Sequence, residues 1–235
     1  MHCPYYKQEL KNRLNIDIDS FDISKLKSLP ILEKKMIREH NDLFHSDEHE
    51  KRGSRVNTSG GSTGAPIKVL QDRYYSYESL GTFSYVKKLR TGDPYAYTAV
   101  LWGAVRDMYG SDDTLIGKLK SWVNNITMFN SAKQDPDKIL SFIDHINTRK
   151  PPMILAYAQA IYQVALFAEK NNIDIVPQNV IHTGAGQLFP FMRTKIEEVF
   201  QSQVCDHYGG REFGAVATEC KYGGGLHILD YNRIV

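Results

Sequence analysis

Met153-Ile154-Leu155-Ala156-Tyr157, Gln159 to Asn171, Asn179 to Thr183, Phe191 to Phe200 and Gln203-Val204-Cys205-Asp206 follow one another with little between them. The short stretches are apolar or β-branched, and the longer ones carry apolar residues at helical spacing, so the run reads strand, helix, strand, helix, strand. Strands with apolar residues on both faces belong to a largely parallel sheet covered by helices, an α/β architecture. In such sheets ligands gather beyond the carboxyl ends of the strands.

Upstream, Tyr95 to Trp102 reads as another strand. Asp135-Pro136 opens a helix as cap and first-turn proline, with Ile139, Leu140, Ile143 and Ile146 as its apolar face, and Pro151-Pro152 closes that unit. Asp72 to Arg90 is an amphipathic helix whose Tyr74, Tyr77, Phe83 and Tyr85 read as packing residues. Glu33 to Phe44 is a helical stretch, and Ser46 to Gly53 is a solvated connection. There is no internal repeat.

That connection leads into Asn57-Thr58-Ser59-Gly60-Gly61-Ser62-Thr63-Gly64. Glycines let backbone N–H groups approach phosphate oxygens, and the hydroxyls add donors that also reach a bound Mg²⁺. The run departs from the nucleotide-triphosphatase loop, which ends Gly-Lys-Ser/Thr before a helix. Here Gly64 is followed by Ala65-Pro66-Ile67-Lys68, and Ile67 to Leu70 reads as a strand, so a clamp between strands is expected. The bland reading is a Gly/Ser linker. A second motif, Asp206-His207-Tyr208-Gly209-Gly210-Arg211-Glu212-Phe213-Gly214, favours the phosphate reading. Tyr208 can lie against a base, Glu212 is an oxygen ligand of the kind Mg²⁺ selects, and Arg211 can pair with a carboxylate or phosphate. A plain turn with a surface ion pair is the alternative for this segment alone.

Taken together, Thr58 to Pro66, Thr183-Gly184-Ala185-Gly186-Gln187-Leu188 with Arg193 and Ile196 to Phe200, and Tyr208 to Gly214 running into Glu219-Cys220 and Gly224 to Ile228 resemble the adenylate-forming (AMP-binding) superfamily. Within it the order resembles the phenylacetate-CoA ligase-like branch that includes capsular polysaccharide biosynthesis proteins. Leu26 to Lys34 is similar to that family's entry to its large domain.

The resemblance implies ATP- and Mg²⁺-dependent conversion of a carboxylic acid to acyl-AMP and pyrophosphate, followed in most members by transfer to coenzyme A. It implies that Thr58, Ser59, Gly60, Gly61, Ser62, Thr63 and Gly64 hold the phosphates, with Lys68 as an added charge one residue past the usual lysine position, where this chain has Ile67. Gly184, Ala185 and Gly186 would line the adenine and acyl pockets, Tyr208 would stack on adenine beside Gly209, Gly210 and Arg211, and Glu212 would hold the metal. Thr63 and Glu212 would be the catalytic residues. Many members carry Glu where this chain has Gly186. His207 stands where the family often places a polar residue facing the acyl pocket, and Trp102-Gly103-Ala104 either lines that pocket or packs at the sheet edge.

The family pattern continues past Val235 with a ribose-binding aspartate, a hinge and a small domain bearing a catalytic lysine. The expectation is therefore a truncated large domain: residues 1–56 as a helical lead-in, 57–235 as an incomplete AMP-binding domain, and the small domain absent. Self-association or a completing chain would follow from the face so left open. The alternative to an enzyme is a non-catalytic nucleotide-binding or assembly protein.

Composition fits a globular chain. With 42% hydrophobic residues among 235, it can bury roughly 70% of its unfolded surface. A formal charge of +2 does not announce a nucleic-acid partner. No apolar run approaches the ~20 residues of a membrane span, the N-terminus has no secretory core, and three cysteines do not make a disulfide framework, so the cytoplasm is expected. Cys205, His207, Cys220 and His227 raise zinc, but their irregular spacing argues against it.

Overall fold

A computed structural model describes residues 2–13, 22–58, 66–103, 119, 121–132 and 134–230. The chain divides into two compact units, Met1–Ser79 and Leu80–Val235.

The first unit begins with α1 (Pro4–Arg13), a 3-10 turn at Ile23–Ser28, α2 (Lys34–Glu39) and a second 3-10 turn at Asn41–Phe44. Tyr5 of α1 stacks on Phe44 with centroids 4.4 Å apart. The expected helix over Glu33 to Phe44 is interrupted at His40, whose φ of −127° leaves the helical region. Asn41 follows it, and its side-chain amide donates to the Lys68 carbonyl at 3.2 Å. β1 (Arg55–Thr58) and β2 (Lys68–Gln71) form an antiparallel ribbon in which Thr58 pairs with Lys68. Ser59 to Ala65, the heart of the glycine-rich run, lie outside the described residues.

The second unit is built on a seven-stranded sheet in the order β4-β3-β5-β6-β7-β8-β9. Its strands are β3 (Thr98–Trp102), β4 (Ile126–Asn130), β5 (Met153–Tyr157), β6 (Val180–Gly184), β7 (Gln203–Gly210), β8 (Gly214–Glu219) and β9 (Leu226–Ile228). β3 to β7 pair in parallel, and β8 and β9 add on antiparallel. The expected helix-covered, largely parallel α/β sheet is present.

Both faces are covered, which is why the strands carry apolar residues at successive positions. On one face Ile154, Ala156, Ile181 and Val204 pack with residues of α4 (Pro136–Arg149), α5 (Ala158–Lys170) and α6 (Pro190–Phe200). On the other, Met153, Val180 and Cys205 meet Phe83 and Val86 of α3 (Arg73–Thr91), whose residues from Leu80 onward belong to this unit. The side-chain period of two assigns His182 to the α3 face and Thr183 to the α4–α6 face.

Local chemistry sets several boundaries. Asp135 caps α4 by accepting the Lys138 N–H at 3.1 Å, Pro136 is its first residue, and Lys150 ends it in the left-handed region. Ile139, Ile143 and Ile146 are buried as expected, whereas Leu140 is 43% exposed and lies off the apolar face. β3 begins at Thr98 and not Tyr95, because Asp93 accepts the Tyr95 N–H at 2.8 Å and holds that segment as a turn. β7 runs four residues past Asp206, so Tyr208-Gly209-Gly210 are strand residues paired with β8 and not a loop. No helix among the described residues is long and apolar enough to cross a membrane.

Candidate functional site

The carboxyl ends of the parallel strands bring together side chains that are far apart in sequence. Trp102 ends β3 and meets Tyr157, the last residue of β5, edge to face at 4.3 Å. Tyr157 is the register partner of Gly184, the last residue of β6. The backbone then turns through Ala185, whose φ of 59° costs an L-residue about 1–2 kcal/mol. Such strain is retained where the surroundings fix the turn, and here the turn lies at a strand end where ligands are expected.

Gly184 is required by His207. A Cβ at position 184 would run into the His207 ring, so the absence of a side chain lets that ring lie against the β6 end. His207 donates from Nδ1 to the Thr183 carbonyl at 3.0 Å, since a carbonyl can only accept. Its ring stacks on His182, with planes 3° apart and centroids separated by 4.9 Å. Burial holds the His207 pKa below the ordinary imidazole value, against the opposing pull of the Thr183 hydrogen bond and Asp206. His182 lies well below it, first through burial and then through His207 and Arg90. Two neutral stacked imidazoles result.

β7 changes partner here. Up to Asp206 it pairs with β6, and from His207 it pairs with β8. The backbone groups of Val204 and Asp206 facing β8 therefore need other partners. Glu197 accepts the Val204 N–H at 3.0 Å, Arg193 donates from Nη1 to the Val204 carbonyl at 2.6 Å, and Glu219 accepts the Asp206 N–H at 2.8 Å. Arg193 Nη2 also donates to both Glu219 oxygens, at 2.8 and 2.9 Å. This clamp fixes β7 just before it presents Tyr208. Across the strand pair, Thr183 Oγ1 donates to Asp206 Oδ1 at 3.0 Å, while burial raises the Asp206 pKa.

Tyr208 is 59% exposed, its ring facing solvent although it lies within β7 opposite Ala217 of β8. Arg211, Glu212 and Phe213 make the turn between β7 and β8. Glu212 is exposed and carries no hydrogen bond or ion pair among the described residues, so its oxygens are available to a hard cation. Gly186 is crowded by Gln159, whose side-chain amide occupies the space of a Cβ there and donates to the Gln187 carbonyl at 3.4 Å. Ala104 lies outside the described residues. Among the described residues no three His, Cys, Asp or Glu side chains come together as a metal site.

The structure thus brings Gly184 and His207 together, while Gly186 lies against Gln159 and Glu212 stands in the turn beyond β7. Thr58 and Lys68 belong to the other unit, at the ends of its ribbon. Arg90 and Thr218, which join this site through His182 and His207, were not signalled by the sequence. Arg90 read as one more polar residue of an amphipathic helix, and its partner Thr218 stands 128 positions away.

No protein-family model matches this chain, and no curated protein matches it. Among solved structures, 2-hydroxyisobutyryl-CoA ligase in complex with 2-HIB-AMP in the postadenylation state superposes with a TM-score of 0.67 at 15% identity, covering 96% of this chain and 49% of that one. The chain shares its fold with about half of that ligase. The same enzyme with 2-HIB-AMP and CoA gives a TM-score of 0.66 in the thioesterification state, at 16% identity over 96% of this chain and 49% of that one. Its open conformation with the same ligands gives 0.65 at 15% identity over 96% and 54%. The chain spans about half the length of these structures. At such identity the likeness is one of fold.

Proposed function

We propose that this chain belongs to the adenylate-forming superfamily and takes part in ATP-dependent adenylation of a carboxylic acid, giving acyl-AMP and pyrophosphate, with coenzyme A as the acyl acceptor. The observation that carries the reading is the meeting of two motifs at adjacent strand ends, where the His207 ring lies on Gly184 and Tyr208 stands exposed beside it. The motif order favours the phenylacetate-CoA ligase-like branch, and a place in capsule or exopolysaccharide synthesis is the corresponding role. The shared fold with an acyl-CoA ligase supports the reaction class.

Each residue then has a physical task. A carboxylate is already a nucleophile near neutral pH, so no general base is needed. It attacks the α-phosphorus in line as pyrophosphate leaves. Donors aimed at the growing charge count more in the transition state than before it. Thr58 to Gly64 would supply them, with Thr63 as a catalytic residue and Lys68 adding charge. Tyr208 would hold the adenine face, with Gly184, Ala185 and Gly186 bordering it and Gly209, Gly210 and Arg211 completing the edge. Mg²⁺ would neutralise phosphate charge and fits Glu212, whose oxygens face solvent uncommitted. Residues 57–235 would form the AMP-binding domain after a lead-in over 1–56.

Pyrophosphate release from ATP on adding a panel of carboxylic acids tests the proposal. Acid-dependent release is expected; ATP binding with no release for any acid would favour a non-catalytic nucleotide-binding protein.

A further inference from the structure

Arg90, in the last turn of α3, is a half-buried cation with no acidic partner among the described residues. Its Nη2 donates to Thr218 Oγ1 at 3.0 Å, but its Nε and Nη1 are shielded from solvent and have no hydrogen-bond partner among the described residues. A guanidinium cannot lose its proton at neutral pH, so it cannot relieve this by becoming neutral. Next to it is a second such group: His182 is 4% exposed, and its Nδ1 is likewise buried without a partner among the described residues. Thr218 is the cross-strand partner of His207, so Arg90, His182 and His207 line one strip of the α3 face leading inward from the Gly184 edge.

The carboxylates nearby are committed elsewhere. Asp206 faces Thr183 on the α4–α6 side, and Glu219 is held by Arg193. Cys205, on the α3 face, has its thiol pKa pushed up by burial and supplies no anion. Among the described residues, no acidic side chain pairs with Arg90.

We infer that this strip is a carboxylate site, with Arg90 as its cation and His182 Nδ1 as a second donor when the imidazole takes the Nδ1–H tautomer, and that it selects an acyl substrate carrying a second carboxyl group. The inference rests on the adenylation reading for the placement of the reacting carboxyl at the Gly184 edge; the inner carboxylate would then meet Arg90. Donors to an ionised acceptor are the stronger kind, and a polar site whose donors stay unpaired rejects a ligand lacking the matching group.

The test is an NMR titration of the full chain, without nucleotide, following the Arg Nε–H resonance assigned to Arg90 as succinate, butyrate or inorganic sulfate is added. Succinate is expected to shift that resonance at concentrations at least about tenfold lower than butyrate or sulfate require. Arg90→Met should remove the difference measured by thermal shift, and Arg90→Lys should keep part of it. If the methionine variant does not fold, the wild-type titration decides alone. Equal response to succinate and butyrate, or sulfate binding as tightly as succinate, would overturn the inference. Because the titration contains no ATP, it reads the site alone: succinate binding here, together with no acid-dependent pyrophosphate release in the separate assay with ATP, would sink the adenylation reading and leave the site standing.

Discussion

His182 and His207 stack almost face to face, 3° from parallel, although one sits on β6 and the other on β7, 25 positions along the chain. Arg90 lies close enough to depress His182 further. Both imidazoles have folded-state pKa values below 6.5, so between those values and 6.5 the unfolded chain binds more protons than the folded one. Stability therefore rises with pH through this window and is lost as pH falls below 6.5. Urea midpoints at pH 7.5 and pH 5.0 measure it. The wild type should lose stability on acidification, and His182→Phe should lose less; equal losses would contradict the account.

Gly184 and Gly186 separate two kinds of crowding. A Cβ at 184 meets a His207 ring held by its stack and by Thr183, whereas one at 186 meets the end of the flexible Gln159 side chain. Gly184→Ala should cost about 1–3 kcal/mol, as overpacking does. Gly186→Ala should cost less than ~1 kcal/mol, because Gln159 can rotate away. Chemical denaturation of both variants compares them.

The Arg193 clamp serves the one stretch of β7 whose backbone lacks a β8 partner. Arg193→Met would leave the Val204 carbonyl unpaired and Glu219 without its cation, costing about 1.5–3 kcal/mol. The loss should appear as faster amide exchange at Val204 and Asp206 before the rest of the sheet. Uniform exchange across the sheet would show that the clamp has no local role.

Glu212→Gln keeps the shape of the turn between β7 and β8 and removes the charge offered to a cation. Mg²⁺-dependent ATP binding should fall by at least about tenfold, with the thermal midpoint nearly unchanged because Glu212 is exposed and uncommitted. Calorimetric titration with and without Mg²⁺ reads the effect, and unchanged affinity would refute the assignment.

Much of the α/β core is legible because local signals agree with the tertiary fold. Asp135-Pro136 caps α4 as its sequence says, and Met153 to Tyr157 forms the buried strand its composition demands. The misreadings have physical causes. Gly209-Gly210 look like a turn, but they sit in a strand paired across to Gly214 and Ala215, where the backbones approach closely. β4 escaped notice because Ile126 to Asn130 is too short to show a period by itself, and it forms by pairing with β3. Motif order singled out the segments around Gly184 and Tyr208, while the contact of Gly184 with His207 is a product of strand register. Arg90 was illegible, since only the sheet brings it to Thr218 and His182. Ser59 to Ala65 remain a reading of sequence, outside the described residues.

The most direct measurement is the affinity of wild type and Tyr208→Ala for ATP, AMP and inorganic pyrophosphate, by calorimetry. Loss of one base–aromatic stack should weaken ATP and AMP by roughly 5- to 150-fold while leaving pyrophosphate unchanged. Equal weakening of all three ligands, or no binding of ATP by the wild type, would contradict an adenine site at the β6–β7 edge.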